Sequence, residues 1–342
     1  MTVDSRVGVE VTTQYAGNYN DVEVAVSRER SWMVGRVFGL GAAPVSASAV
    51  ARRSEIIAPL PYALIALNPT ACDAMVFNGG FDLQVNNGGG VMVNSNCAHY
   101  AVNINGATDT QTGPFHYFED GGVDISGTPA PNVSPAPTTV PWTVPDPYAD
   151  LPPINLATLG TSPDSCGTQA APQTCSFVNG SRTLQPGVFW GGISLGGSAD
   201  VTLAAGGIFT RAGGGFSALA SSKVTASGVL LYNTGPACGA LSFGGSADVQ
   251  FTAYQSAPYA NFSVWQDASC AVTMTVSGSV DMPTGTIYVP GAQFVMDGIV
   301  DIQGPLQIIA DTMLFNGEGD LQIDFTPWAV GATGDFEVQL VE

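Results

Sequence analysis

SGSVDM from Ser277, DGIVDI from Asp297 and NGEGDL from Asn316 repeat one phrase within the stretch Thr275 to Phe325, with copies starting twenty and then nineteen residues apart (277, 297, 316). Such a period is too short for a propeller blade and fits one coil of a β-solenoid. The phrase returns as NGGFDL from Asn78, DGGVDI from Asp120, and GGSADV from both Gly196 and Gly244. Between copies, apolar residues alternate with polar ones, as in Val201 and Leu203, Val249 and Phe251, Ile287 and Val289, Leu306 and Ile308, or Leu321 and Ile323. These read as short strands with one buried face. Glycine at the second position supplies the left-handed corners a tight coil needs. The expected fold is all-β: a parallel β-solenoid, right-handed by the usual preference, in two parts after a small α+β unit.

Composition agrees with a large, turn-rich core. Of 342 residues, 45% are hydrophobic, while 42 glycines and 23 prolines punctuate the alternation without ending it. The net charge is −19, with one lysine, Lys223, and eight arginines, so no basic patch for nucleic acid can be assembled. Cys72, Cys97, Cys166, Cys175, Cys238 and Cys270 fall into three sequential pairs and carry no zinc-type spacing. Disulfides 72–97, 166–175 and 238–270 are expected in an oxidising compartment, although six cysteines allow fifteen connectivities. No signal-peptide pattern opens the chain and no apolar run reaches spanning length. An export-type cysteine pattern without an export signal suggests a missing N-terminal segment, with Met1 added for expression.

Residues 1–70 read differently. Val7 to Thr13, Val22 to Val26 and Val45 to Ala51 alternate as strands, and Ser31 caps a short helix through Leu40. DVEVAVSRERSWMVGRVFGLGAAPVSASAVAR, from Asp21 to Arg52, resembles the membrane-proximal unit of TadG-like proteins of the Tad (Flp) pilus assembly system. Gly35 to Leu40 and Val45 to Ala49 stand for its helix and strand phrases, whereas Ser31 to Val34 replace its usual Pro-Thr-Phe-Phe. LNPTACDAMVFNGGFDLQVNNGGGVMVNSNC from Leu67 is similar to the first solenoid coil of that family. The Pro-rich DPYADLPP at Asp146 to Pro153 resembles its linker. LQPGVFWGGISLGGSADVTL from Leu184, GTIYVPGAQFVMDG from Gly285 and QIIADTMLFNG from Gln307 match its second solenoid phrases in order.

The expected organisation is therefore an α+β unit at 1–70, a first solenoid part at 71–128, a linker at 129–165 and a second part at 166–342. Its tail, Gly334 to Glu342, would cover an open solenoid end. The resemblance implies a non-enzymatic extracytoplasmic protein, in the envelope, at the cell surface or secreted. Its partners would be pilus or envelope proteins, further copies of itself or a surface glycan, with membrane attachment only through a helix absent from this chain.

The sharpest chemical candidates are Asp82, Asp124, Asp200, Asp248, Asp281, Asp301 and Asp320. Stacked about 4.8 Å apart, they would form a carboxylate ladder for Ca²⁺. The favoured reading gives each Asp to the N–H groups of its own turn, because calcium coils normally supply more than one carboxylate per turn. No other cofactor is expected. Arg182, Arg211 and Lys223 are the only bases after Arg53, too few for a lyase acting on acidic sugars, and inverting hydrolysis needs two carboxylates about 6.5–9.5 Å apart, which stacked aspartates do not single out. His99 and His116 have no nucleophile motif beside them and read as structural. Trp190, Tyr254, Tyr259, Trp265 and Tyr288 would make a sugar-binding strip or simply pack. An ice-binding solenoid would need a flat regular face, whereas the outward positions mix Thr202, Gln250, Gln303, Gln322 and Asp.

Overall fold

The computed structural model describes residues 7–13, 21–30, 43–52, 61–235, 237–278, 284–299, 301–326 and 339–341. They belong to two units: Met1–Ala58 with Gly331–Glu342, and Pro59–Val330. No helix of the described residues is long and apolar enough to cross a membrane.

In the first unit Val7–Thr13, Asp21–Arg30 and Ala43–Arg52 pair antiparallel in succession, and Gln339–Val341 pairs antiparallel with the free side of Ala43–Arg52. The terminal strand expected in the second solenoid part thus belongs to this sheet. The tail satisfies the open N–H and C=O row of Ala43–Arg52. Residues 59–330 are accordingly an insertion between two neighbouring strands of one sheet. The helix expected from Ser31 to Leu40 lies outside the described residues.

The second unit is a parallel β-solenoid of about 11 turns, whose described strands stack into three ladders. One ladder runs through Gly187–Trp190, Ile208–Ala212, Leu230–Thr234, Phe262–Gln266, Gly285–Asp297 and Leu306–Gly317. It then continues into Tyr62–Ala66, Gly90–Val93, Phe115–Phe118 and Thr138–Val140. The two parts read from the sequence are therefore one stack, and its order is not chain order: the coil beginning at Tyr62 follows the coil ending at Asp324. Phe77 and Phe315 stack across this junction with centroids 4.9 Å apart. Hydrophobic residues pointing inward on all three ladders make one continuous core from Leu184 through Phe325 and Leu64 to Phe115.

Why glycine recurs is visible at one corner. Gly317 sits at φ +111° and a Cβ there would lie 2.6 Å from Gly298 O; Gly79, at φ +87°, would meet Gly317 O at 2.7 Å, and Gly106, at φ +85°, would meet Gly79 O at 2.6 Å. Left-handed backbone and close approach of successive coils exclude any side chain at this corner.

Both ends of the stack are protected. Arg182 occupies the inward position that Val201 fills one coil on, and its guanidinium lies 4.2 Å over the Phe177 ring. At the other end Pro129, Pro131, Pro135 and Pro137 flank the short strand Asn132–Ser134 and remove donors from its edge.

Residues 141–160 return the chain along the outside of the first ladder, from its last strand to its first, where Thr161 bridges Val188. The expected extended linker is here a packed strap. Val144, Tyr148 and Ile154 are buried against Tyr62, Ile65, Met92, Tyr232, Phe262, Trp265, Tyr288 and Ile309, which point outward from the ladder. Asn94 grips it like a strand neighbour, donating Nδ2 to Val144 O (2.7 Å) and accepting the Val144 N–H at Oδ1 (2.9 Å). Tyr148 donates to Gln307 Oε1 (3.0 Å), Tyr288 to Asp146 Oδ2 (2.5 Å) and Tyr259 to Pro152 O (3.0 Å).

Candidate functional site

With one face under the strap, the second and third ladders are the surfaces left to solvent, and the third is the most regular. Residues two apart on a strand share a face, so the D-x-Q triplets of successive coils lay down two parallel columns. By strand register one column reads Asp301, Asp320, Asp82, Asp109 and Asn132; beside it run Gln303, Gln322, Gln84, Gln111 and Ser134. In the coils nearer the other end the same columns read Ser181, Asp200, Lys223, Asp248 and Thr183, Thr202, Thr225, Gln250.

The outward positions stand in register, and their residue types mix as the sequence indicates, Thr giving way to Gln along one column and Ser, Asp and Lys succeeding one another in the other. The sequence reading is corrected in two respects. Asp124 stands elsewhere, on the second ladder beside Asn103, and Asp109 takes the place expected for it. Finally, the hydrogen bonds of these carboxylates run largely between coils: Asp109 Oδ1 accepts from Asn132 Nδ2 (3.1 Å), Asp200 Oδ2 from Ser181 Oγ (3.2 Å) and Asp248 Oδ2 from Lys223 Nζ (2.8 Å), while Gln250 Nε2 serves Asp248 Oδ1 (2.9 Å). Asp281 lies outside the described residues. Asp109 was missed because its following residue is Thr110, buried at 1% exposure, and not the apolar residue of the other copies; the preceding Asn105-Gly106 was the available signal.

Like charges at coil spacing repel. Asp82, between Asp320 and Asp109, has its carboxyl pushed above the usual range by partial desolvation first and by those two carboxylates next. Among the described residues no group of three or more acids, cysteines or histidines converges as a cation would require, and Lys223 interrupts the column between Asp200 and Asp248.

The second ladder carries a column of small hydroxyls: Ser176, Ser194, Ser217, Ser242 and Thr275 in register, followed by Val295, Leu314 and Val76. Ser217 donates to Ser194 Oγ at 3.0 Å.

Compared with known proteins, the chain matches no family model, no curated protein and no solved structure.

Of the expected aromatic strip, Trp190 is half-buried and donates Nε1 to Thr161 Oγ1 (3.0 Å), while the others lie at the strap. Trp265 and Tyr288 are 6% and 3% exposed beneath the strap, and Tyr254 and Tyr259 pack partly against the same cluster. Burial raises the Tyr288 and Tyr148 hydroxyls, the latter to about 12, and keeps both as hydrogen-bond donors to the strap and the ladder. Asp146 is pushed upward by desolvation although Tyr288 and the Tyr148 N–H donate to it. His116 Nδ1 lies 2.7 Å from Tyr62 Oη, and His99 packs edge-on against Tyr100. Cys72–Cys97, Cys166–Cys175 and Cys238–Cys270 are all bonded, the sequential pairing.

Proposed function

We propose that this chain is a non-enzymatic, extracytoplasmic structural protein of the TadG-like kind, acting in pilus assembly or surface attachment. The solenoid is its display element. The observation that supports this most is the insertion: both flanking segments enter one antiparallel sheet, and the whole solenoid lies in the chain between two neighbouring strands of it. Three disulfides suit an oxidising compartment. Contact would fall on the aspartate–glutamine columns, whose alternating acceptors and amides repeat at the coil spacing and suit a polar, periodic partner such as a surface glycan or another envelope protein. The test joins residues 58 and 331 by a short linker, keeping the base sheet and removing 59–330. Loss of attachment or appendage display with normal protein levels is expected, and full retention of both contradicts the reading.

The hydroxyl column from Ser176 to Thr275 favours a second reading, a face that orders water or binds ice. Inhibition of ice recrystallisation by the native chain but not by Ser217→Tyr would support it, and no inhibition by the native chain would remove it.

A further inference from the structure

Inside the first ladder, Phe189, Arg211, Asn233 and Gln266 are neighbours in successive coils, so three polar side chains stand in a column the rest of the solenoid fills with apolar ones. Two of them have an evident task. Asn233 Nδ2 donates to Gly239 O (3.0 Å) and Gln266 Oε1 (2.9 Å), and Gln266 Nε2 donates to Cys270 O (3.0 Å) and Val272 O (2.7 Å). They hold the corner loops that Cys238–Cys270 joins. The corner after Arg211 is only Gly213-Gly214-Gly215 and offers its side chain no such carbonyl.

Arg211 is wholly buried, and among the described residues Nε, Nη1 and Nη2 have no partner; its guanidinium faces the Phe216 ring, 5.1 Å from the centroid. Desolvation lowers its pKa only to about 9, so at neutral pH it remains a cation. An unpaired buried charge is among the most costly arrangements a core can hold. Among the described residues, the acceptor left over in this column is Asn233 Oδ1. Three orphaned donor nitrogens against one orphaned acceptor call for a group rich in acceptors and negative in charge. Water alone brings as many donors as acceptors and leaves the charge uncompensated.

We propose that Arg211 anchors a buried site for one small inorganic monoanion of halide size, enclosed between coils as the solenoid folds. It is an internal counter-ion site and does not rest on the functional reading above.

Bromide is the probe. The chain is unfolded in urea with its disulfides intact, refolded in sodium bromide and crystallised from it. The expected result is an anomalous bromine peak within hydrogen-bond distance of the Arg211 guanidinium. Ordered water without anomalous signal there, or bromide at the surface only, overturns the proposal. In solution, the native chain's thermal midpoint should rise by at least about 2 °C in sodium bromide over sodium gluconate at equal ionic strength, and Arg211→Met should abolish that difference. Equal native midpoints in the two salts overturn the proposal as well. Should Arg211→Met fail to fold, the diffraction result decides.

Discussion

Asn86 donates its Nδ2 hydrogen to Asp324 Oδ1 over 2.8 Å, although 238 positions of sequence separate them. They are register partners on the third ladder, where the strand Asp320–Asp324 lies parallel to Asp82–Asn86. The contact closes a long detour: the chain enters the stack in mid-length at Tyr62, climbs to Val140, returns over Tyr288 along the strap held by Asn94, and climbs again from Thr161 until it meets its own first coil.

The corner glycines set a strict test of that stacking. Gly317→Ala places a Cβ against the Gly298 carbonyl at a left-handed φ and should cost more than about 1 kcal/mol. Gly88→Ala also sits at positive φ, +76°, but meets nothing within 4 Å and should cost less. Urea midpoints of the two variants check the order.

Charge repulsion along the aspartate column makes Asp82→Asn stabilising at neutral pH, by about 0.5 kcal/mol, the scale of a cross-strand pair. The sign follows from linkage. The folded pKa of Asp82 is above its unfolded value, so its ionised form opposes folding at neutral pH, and that penalty disappears as pH falls through the folded pKa towards the unfolded one. Thermal midpoints of variant and native chain should therefore converge in acid. A gap that widens in acid would contradict the assignment.

The strap is expected to be structural. Tyr148→Ala removes a ring packed edge-on against Phe262 and Tyr288 with centroids 4.6 and 5.3 Å away and should cost about 3 kcal/mol. Tyr148→Phe, losing only the bond to Gln307, should cost about 1 kcal/mol. Urea unfolding measures both, and binding of an apolar dye to the Ala variant alone would report the uncovered aromatics.

Arg182→Val should make the first coil adhesive. It extends the inward column Val201, Val224, Val249 to a free face, removing the inward charge that discourages further pairing. Sedimentation should show stronger concentration-dependent association for the variant than for the native chain; identical behaviour would deny Arg182 that role.

Local chemistry was legible in the sequence where the physics is local. The N-G-x-x-D phrase marks a corner and the first outward residue of a strand, so the coil, its glycines and most of its aspartates follow from spacing. Stacking order was not legible, because every coil offers the same corner and the same alternation to either neighbour, and the phrase at Asn316 fits the one at Asn78 as well as the one at Asp297. The strap was read as a bare linker from its prolines. Val144, Tyr148, Leu151 and Ile154 were its apolar signal, matched by the outward aromatics Tyr232, Trp265 and Tyr288, but only the fold brings the two sets together. Asp124 stands apart because its phrase turns the corner from the first ladder to the second, where the other described copies turn from the second to the third.

The account stands or falls on the junction between the last coil and the first. Asn86→Cys and Asp324→Cys, introduced together, place two thiols at directly paired positions of adjacent strands. Mass spectrometry of the oxidised, proteolysed chain should find the peptide containing residue 86 disulfide-linked to that containing residue 324, with the three native disulfides intact. Two free thiols at these positions in the folded chain would contradict the single permuted stack.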